Sequence, residues 1–351
     1  MYIAAVASAL PEQRYTQKEC WEALQSSERF SQLTPPSQRL LRKVLLGENG
    51  IEWRHLSLEK LSEAFQLNPN ALQARYEKHA PLLGFRAAQG LLQNKTLALH
   101  EVDALIVSTC TGYLCPGLSS YISEALGLRK SALLLDLVGQ GCGAALPNLQ
   151  VAESLITSGR AKNVISLAVE VSSAAFFLDD DPGVLISACL FADGAAAVHC
   201  SHQPGPTRRV KWVEGFNSLS AENREALRFK TVDGMLKNQL TREVPQLAGR
   251  MAYDLFSQAA LTHGLTTQSI SAWIFHAGGR DVLNELSHVF GLAEEHTNWS
   301  RCTLREIGNV SSPSVLFVLQ KALQNSAPAG RWWLASFGAG IASHGALLDV
   351  T

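Results

Sequence analysis

The sequence predicts an α/β fold built from two copies of one α/β unit, and three observations carry that reading. Between residues 102 and 171 an apolar run, a glycine-rich turn, a helical stretch and another apolar run follow one another, which is the order of parallel α/β construction. The same order returns between residues 270 and 340. The 351 residues are 46% hydrophobic and only 17% charged, enough apolar material to bury two cores of ordinary domain size and to exclude wholesale disorder.

The elements follow in chain order. MYIAAVASALPEQRY at the start is apolar but lacks the basic head and cleavage context of a signal peptide, and reads as a first strand. Residues 17–100 mix charged and apolar positions as helices do, with loop signals at Thr34-Pro35-Pro36 and Asn68-Pro69-Asn70. VDALIVSTC (102–110) and ALLLDLVG (132–139) are nearly continuous apolar runs, as buried strands are. After the second run Ala145, Leu149, Ala152 and Ile156 recur at helical spacing, with Gly159 as the stop. NVISLAVEV (163–171) is again a strand. Near the C-terminus ISAWIFHAGG (270–279) is a strand and a turn. REIGNVSSPSVLFVLQKALQNSAPAG (305–330) is a small-residue turn feeding a helix with Val315, Leu319, Ala322 and Leu323 on one side. RWWLASFGAG (331–340) is a strand that meets glycines. Aligned by these elements, the turn of Cys142 matches that of Asn309, and the strand end at Thr109-Cys110 matches that at His276. The polar stretch SHQPGPTRR (201–209) is the joint, giving halves 1–205 and 206–351.

Thirty Lys+Arg against thirty-one Asp+Glu argue against a general nucleic-acid-binding surface. No apolar run reaches the roughly 18–20 residues that span a bilayer. The seven cysteines form no CxxC pair and are odd in number, which fits reduced thiols in a cytoplasmic enzyme better than a disulfide framework. Neither a Walker loop nor Cys/His spacing for a metal is present, and GAGIASHGA (338–346) is no dinucleotide fingerprint.

Open α/β sheets hold ligands beyond the carboxyl ends of their strands, and Cys142, His276 and Asn309 all fall there. Cys142 opens a helix, whose positive end favours a thiolate, and a neighbouring His would hold the proton. An imidazole and an amide both donate to a developing oxyanion without adding negative charge. Together the three suit chemistry on a thioester, with the Cys carrying an acyl group while the donors stabilise an enolate. Taken singly each has a plainer reading: a buried small hydrophobe, a packing histidine, a turn asparagine. Pro147 counts against a regular first turn. The coincidence of three suitable residues at matching places favours the catalytic reading.

The blocks VSTCTGYLCPG, LVGQGCGAALPNL, SACLFADGAAA, WIFHAGGRDVL, GNVSSPSVLF and ASFGAGIASHGALL resemble the type III polyketide synthases, the chalcone and stilbene synthase-like enzymes, in a bacterial-type member. The resemblance runs from ALPEQRYTQKE (9–19) almost to the end. It implies a thiolase-like fold with two duplicated halves stacked as αβαβα layers, a homodimer, acyl-CoA starter and malonyl-CoA substrates, and no cofactor or metal. Residue by residue it makes Cys142 the acyl-carrying nucleophile and His276 and Asn309 the decarboxylation and oxyanion residues. It makes Phe191 the gate between CoA tunnel and cavity, where a core aromatic beside Asp193-Gly194 is the other reading.

Departures from the family bear on the substrate. Cys115 stands where plant members carry a methionine that reaches the partner's cavity, and Ser172 and Ala175 replace two cavity threonines. Smaller side chains there leave room for a different, longer or alkyl, starter, or are neutral packing changes. No second gating phenylalanine falls in TVDGMLKNQLTREVP (231–245), and Pro313 is unlike the usual small residue. Arg39, Arg42 and Lys43 share one helical face near where the family binds CoA phosphates; a solvated stripe is the alternative. Three other functions compete with polyketide synthesis. They are a priming ketoacyl-carrier-protein synthase that stops after one condensation, a cysteine hydrolase using Cys142 and His276, and a non-catalytic partner of the same fold.

Overall fold

The computed structural model describes residues 1–93 and 97–351; positions 94–96 of the helical N-terminal stretch lie outside the described residues. β1 (Tyr2–Ala9) and β2 (Arg14–Thr16) lead into α1 (Gln17–Gln25), α2 (Glu28–Ser31) and α3 (Pro35–Leu46). β3 (Trp53–His55) pairs with β2, and α4 (Pro69–Gln93) follows. Then come β4 (Ala104–Thr109), α5 (Leu118–Leu126), β5 (Leu133–Val138), α6 (Ala145–Thr157), β6 (Asn163–Val171), α7 (Pro182–Leu190) and β7 (Asp193–Ser201). After a loop the chain continues with β8 (Val210–Leu219), the hairpin β9 (Leu227–Val232) and β10 (Met235–Leu240), and α8 (Val244–His263). β11 (Ile270–Phe275), α9 (Arg280–Phe290), α10 (Asn298–Ile307), α11 (Ser314–Gln324), β12 (Gly330–Gly338) and β13 (Ala342–Val350) close it.

The duplication expected from the sequence appears in the strand pairing. In the order β11-β12-β13-β8-β1-β7-β6-β4-β5, β1 pairs antiparallel with β7, β7 antiparallel with β6, and β6 parallel with β4. The other half repeats this: β8 antiparallel with β13, β13 antiparallel with β12, and β12 parallel with β11. The halves meet edge to edge at one registered pair, Tyr2 and Lys211.

Five layers result. α4 covers β1, β6 and β7 on one outer face, with α5 against β4 and β5; α8 covers β8, β12 and β13 on the other, backed by α9. Between the halves lie α6 and α11, each touching strands of both. This explains why the two sequences have apolar residues on more than one face. Ala145, Leu149, Ala152 and Ile156 of α6 are buried, as are Val315, Leu319 and Ala322 of α11. The Asn148 amide of α6 wedges between β4 and β6, donating to Ile106 O and Leu167 O at 3.2 and 3.0 Å and accepting from Ser166 Oγ at 2.9 Å. A buried amide with its bonds made fixes the helix register, since any slip would orphan them. Pro147 sits in the first turn of α6, where a missing N–H breaks no helical bond, so the sequence objection to it disappears.

One strand differs from its sequence reading. Residues 132–139 read as a buried strand, but β5 is the edge of the sheet, with Leu133 44% and Val138 55% exposed. Leu134, Leu135 and Leu137 still pack against the core, but the strand is only half-buried because its two apolar ends lie at the surface of this chain.

Candidate active site

The carboxyl ends of β4, β6 and β11 and the starts of α6 and α11 converge, and the three residues singled out by sequence lie there. Cys142 sits in the one-turn 3-10 segment Gly141–Gly143 just ahead of α6. That turn packs against the far half. Gly141 has φ +58, and a Cβ there would lie 2.7 Å from Ala339 N, so glycine is required on both counts. Ser336 Oγ donates to Gly143 O at 3.1 Å.

A chain of short contacts joins the three residues. Ser311 O–H donates to Cys142 Sγ at 3.2 Å, and Ser311 N–H donates to Asn309 Oδ1 at 2.9 Å. Asn309 Nδ2 in turn donates to Gly278 O at 2.9 Å, leaving its second N–H for a ligand. Gly278 lies against His276: a Cβ on it would be 3.0 Å from His276 Nε2. Ser311 holds φ +58, an uncommon backbone for a non-glycine residue. In that conformation its N–H bonds Asn309 and its hydroxyl bonds Cys142.

Beneath this chain sits a carboxylate. Glu170, at the end of β6, is fully buried. It accepts from Cys110 N–H at 3.0 Å, Thr111 O–H at 2.9 Å, Cys110 S–H at 3.2 Å and the Ser312 hydroxyl. Burial pushes its pKa up while those donors pull it down. The single Ser311 proton is shared between Cys142 Sγ and Glu170 Oε1, the latter at 3.5 Å.

This environment corrects one expectation. The helix start and His276 were expected to favour a thiolate. Instead burial pushes the Cys142 thiol up to about 12, opposed by the Ser311 hydrogen bond and reinforced by the Glu170 charge. Burial also lowers His276 to about 4, so its ring is neutral near pH 7, and its Nδ1 has no hydrogen-bond partner among the described residues. Burial disfavours the charged form of each group, so the thiol keeps its proton and the imidazole gives up its second one. Alkylation of Cys142 by iodoacetamide should therefore keep rising about tenfold per pH unit through pH 9, because only the thiolate reacts. A plateau below pH 8 would show a thiolate–imidazolium pair instead.

Two cavities adjoin the site. One of about 600 Å³ is lined by Tyr76, Cys110, Thr111, Gly141, Phe229 and Ala339 among others. A smaller one of about 20 Å³ shares Thr111 and Phe229 with it and brings together Ser172, Ala175, Phe191 and Ser311. Phe229 and Asn238 face this space, just before and within the stretch in which the sequence offered no second gating phenylalanine. The Phe191 backbone is tied to the site, forming a bridge with Asn309 and accepting from Arg54 Nε at 2.9 Å.

Cys115 is exposed on the loop before α5 and lines neither cavity. Arg39, Arg42 and Lys43 are exposed on the face of α3 opposite buried Leu41 and Leu45, and they too line neither. Among the described residues no cluster of three metal-ligating side chains is present, and no helix is long and apolar enough to cross a membrane.

Comparison with known proteins adds the following. Residues 5–217 match the family described as "FAE1/Type III polyketide synthase-like protein", and residues 218–350 match "Chalcone and stilbene synthases, C-terminal domain". The chain is 28% identical over 332 residues to the 3,5-dihydroxyphenylacetyl-CoA synthase of Streptomyces toyocaensis, covering 92% of this chain and 82% of that one. Among solved structures it superposes on PKS-I of the brown alga Ectocarpus siliculosus with a TM-score of 0.91 at 23% identity, over 99% and 98% of the two chains. It superposes on the 1,3,6,8-tetrahydroxynaphthalene synthase of Streptomyces coelicolor A3(2) with a TM-score of 0.87 at 23% identity, over 99% of each.

Proposed function

The chain belongs to the type III polyketide synthase family, and from that premise we propose that Cys142 carries the growing chain while His276 and Asn309 make the nucleophile that extends it. The observation that carries this reading is the continuous contact path from Cys142 Sγ through Ser311 and Asn309 to Gly278 and His276, beside a cavity of about 600 Å³. Cys142 sulfur attacks the thioester carbonyl of an acyl-CoA starter, forming a new thioester and releasing CoA thiol. Malonyl-CoA then loses CO₂, and the enolate oxygen accepts hydrogen bonds from the neutral His276 ring and the spare Asn309 N–H. The enolate carbon attacks the acyl carbonyl, a carbon–carbon bond forms, and the Cys142 thiolate leaves. Repetition and ring closure give a pyrone, resorcinol or related ring.

The thiol's high resting pKa fits this order of events. A protonated sulfur is held inert until a thioester fills the cavity, and the proton has acceptors close by in Ser311 and Glu170. Phe191, Ser172 and Ala175 would shape the space for the chain, and Arg39, Arg42 and Lys43 would meet CoA phosphates at the surface. The reaction needs no cofactor beyond its CoA thioesters, and we place it in the cytoplasm, with halves dividing at residues 205 and 206.

The test is product mass spectrometry with a panel of acyl-CoA starters and malonyl-CoA. Products carrying more than one extension unit support the reading. Single-extension products made only from malonyl carrier protein would point to a priming ketoacyl-carrier-protein synthase. Free acid released without malonyl-CoA consumption would point to a hydrolase.

We also propose a homodimer in which Cys115 approaches the partner's cavity. Exposed Leu133 and Val138 on edge strand β5, with Tyr113 and Tyr121 exposed on the neighbouring loop and helix, make an apolar face with unpaired strand groups, which proteins normally cover. Size-exclusion chromatography with light scattering should give twice the chain mass at micromolar concentration, and a fully active monomer would end the idea.

A further inference from the structure

Behind Cys142 runs a polar seam that the reaction just described does not use. β12, β13 and β8 lie side by side under the start of α6, and their register puts Ser336, His344 and Asn217 in one cross-strand row. Ser336 holds the Gly143 carbonyl. Asn217 Nδ2 donates to Gln150 Oε1, further along α6, at 2.9 Å. That leaves Asn217 Oδ1, an acceptor, 2.7 Å from His344 Nδ1, so Nδ1 carries the proton and Nε2 a lone pair. His344 is 5% exposed, and its Nε2 has no hydrogen-bond partner among the described residues. Burial lowers its pKa to about 4, keeping the ring neutral. The bare edge of that ring lies on the residue after the cysteine: a Cβ on Gly143 would be 2.8 Å from His344 Cδ2 and 3.2 Å from Nε2.

We propose that His344 is a positioning residue for the condensing reaction, its imidazole locked by Asn217 and wedged under Gly143 so that the turn presents Cys142 Sγ to the Ser311 hydroxyl. The proposal rests on Cys142 being the acyl carrier. A buried, protonated thiol depends on placement more than on charge, and its one hydrogen-bonding partner in the described structure comes from the opposite wall. The wedge pushes the turn towards that wall. It also accounts for glycine at 143, since a side chain there would compete with the ring for the same space.

The test uses the full chain and reads Cys142 alkylation by iodoacetamide, resolved peptide by peptide because exposed Cys115 also reacts. His344→Asn keeps a donor near the Nδ1 position but removes the ring edge. Alkylation and kcat should fall together by about tenfold, less than the ~100-fold that a 1 Å misplacement can cost, with KM for the starter CoA thioester unchanged. Malonyl-CoA decarboxylation, measured in the Cys142→Ala background, should not change when His344→Asn is added. His344→Gln, long enough to reach Gly143, should recover most of the alkylation rate.

Gly143→Ala alone should be slow through collision with the ring. Gly143→Ala combined with His344→Asn should be faster than Gly143→Ala alone, because removing the ring relieves the closest contact of the added methyl and leaves only that with Gly338 N at 3.2 Å. A folded His344→Asn that alkylates at the wild-type rate overturns the proposal, as do two changes whose effects simply multiply. Decarboxylation falling in step with alkylation also overturns it, since that marks a general loss of structure. Should His344→Asn not fold, His344→Gln and the double variant decide alone. An error in the acyl-carrier assignment would show separately, as acyl mass retained on Cys142→Ala.

Discussion

Cys142→Ala should take up no acyl mass from any starter CoA thioester, yet should still decarboxylate malonyl-CoA. The sulfur is the one nucleophile that the site holds against the Ser311 hydroxyl at 3.2 Å, and a thiolate both attacks a thioester and departs from one. Nothing in the Asn309–Gly278–His276 part of the path depends on that sulfur. Asn309 is held by Ser311 N–H and the Gly278 carbonyl, and both contacts survive the change. Intact-protein mass after incubation with a starter, beside a CO₂-release assay, checks both halves of the expectation. Acyl mass remaining on the variant would move the attachment elsewhere, with Cys110, the other thiol beside Ser311, as the first place to look.

Asn309→Ala should do the reverse. The acyl-enzyme should still form, while decarboxylation and condensation collapse by about a hundred- to a thousand-fold, the usual loss for one oxyanion donor. The structure adds a complication, because Asn309 Oδ1 also holds the Ser311 backbone. Asn309→Asp keeps that acceptor but has no N–H, so it should load as the wild type does and still fail to decarboxylate. His276→Ala should behave like Asn309→Ala rather than like Cys142→Ala. Its ring is neutral, and the thiol's hydrogen bond among the described residues comes from Ser311 instead. Wild-type decarboxylation in either alanine variant would sink the oxyanion assignment.

Much of this was legible in the residues. The repeated order of strand, glycine turn and helix revealed the duplication and the matching strand ends, because period and turn chemistry are local properties. The burial of β5 was misjudged because an apolar strand at the edge of a sheet has the same composition as one inside it. The contacts of Glu170, Cys110 and Ser311 around Cys142 went unread, although one signal was present. A lone acid at the end of the apolar run NVISLAVEV, fully buried in the fold, must collect donors or lose its charge. Nothing in the sequence says which residues those donors are, since Cys110, Thr111 and Ser312 come from two other segments. The thiol's protonation state was equally out of reach. It depends on how deeply both halves bury the turn, which is a property of their packing and not of the helix start alone.

The place of β1 has a consequence for how the chain is made. Tyr2–Ala9 registers against β7, with Ala9 opposite Ala195 and Tyr2 opposite Ser201. β1 therefore leaves the ribosome about 190 residues ahead of its partner, which at common elongation rates is a wait of roughly 10–40 s. During that wait an apolar strand has both edges open and no sheet to join. Early synthesis is then the period in which the chain depends most on chaperones, and in which slower translation before residue 201 would raise aggregation rather than lower it. Nascent chains halted before β7 should be degraded by protease at β1, and chains halted after it should be protected there.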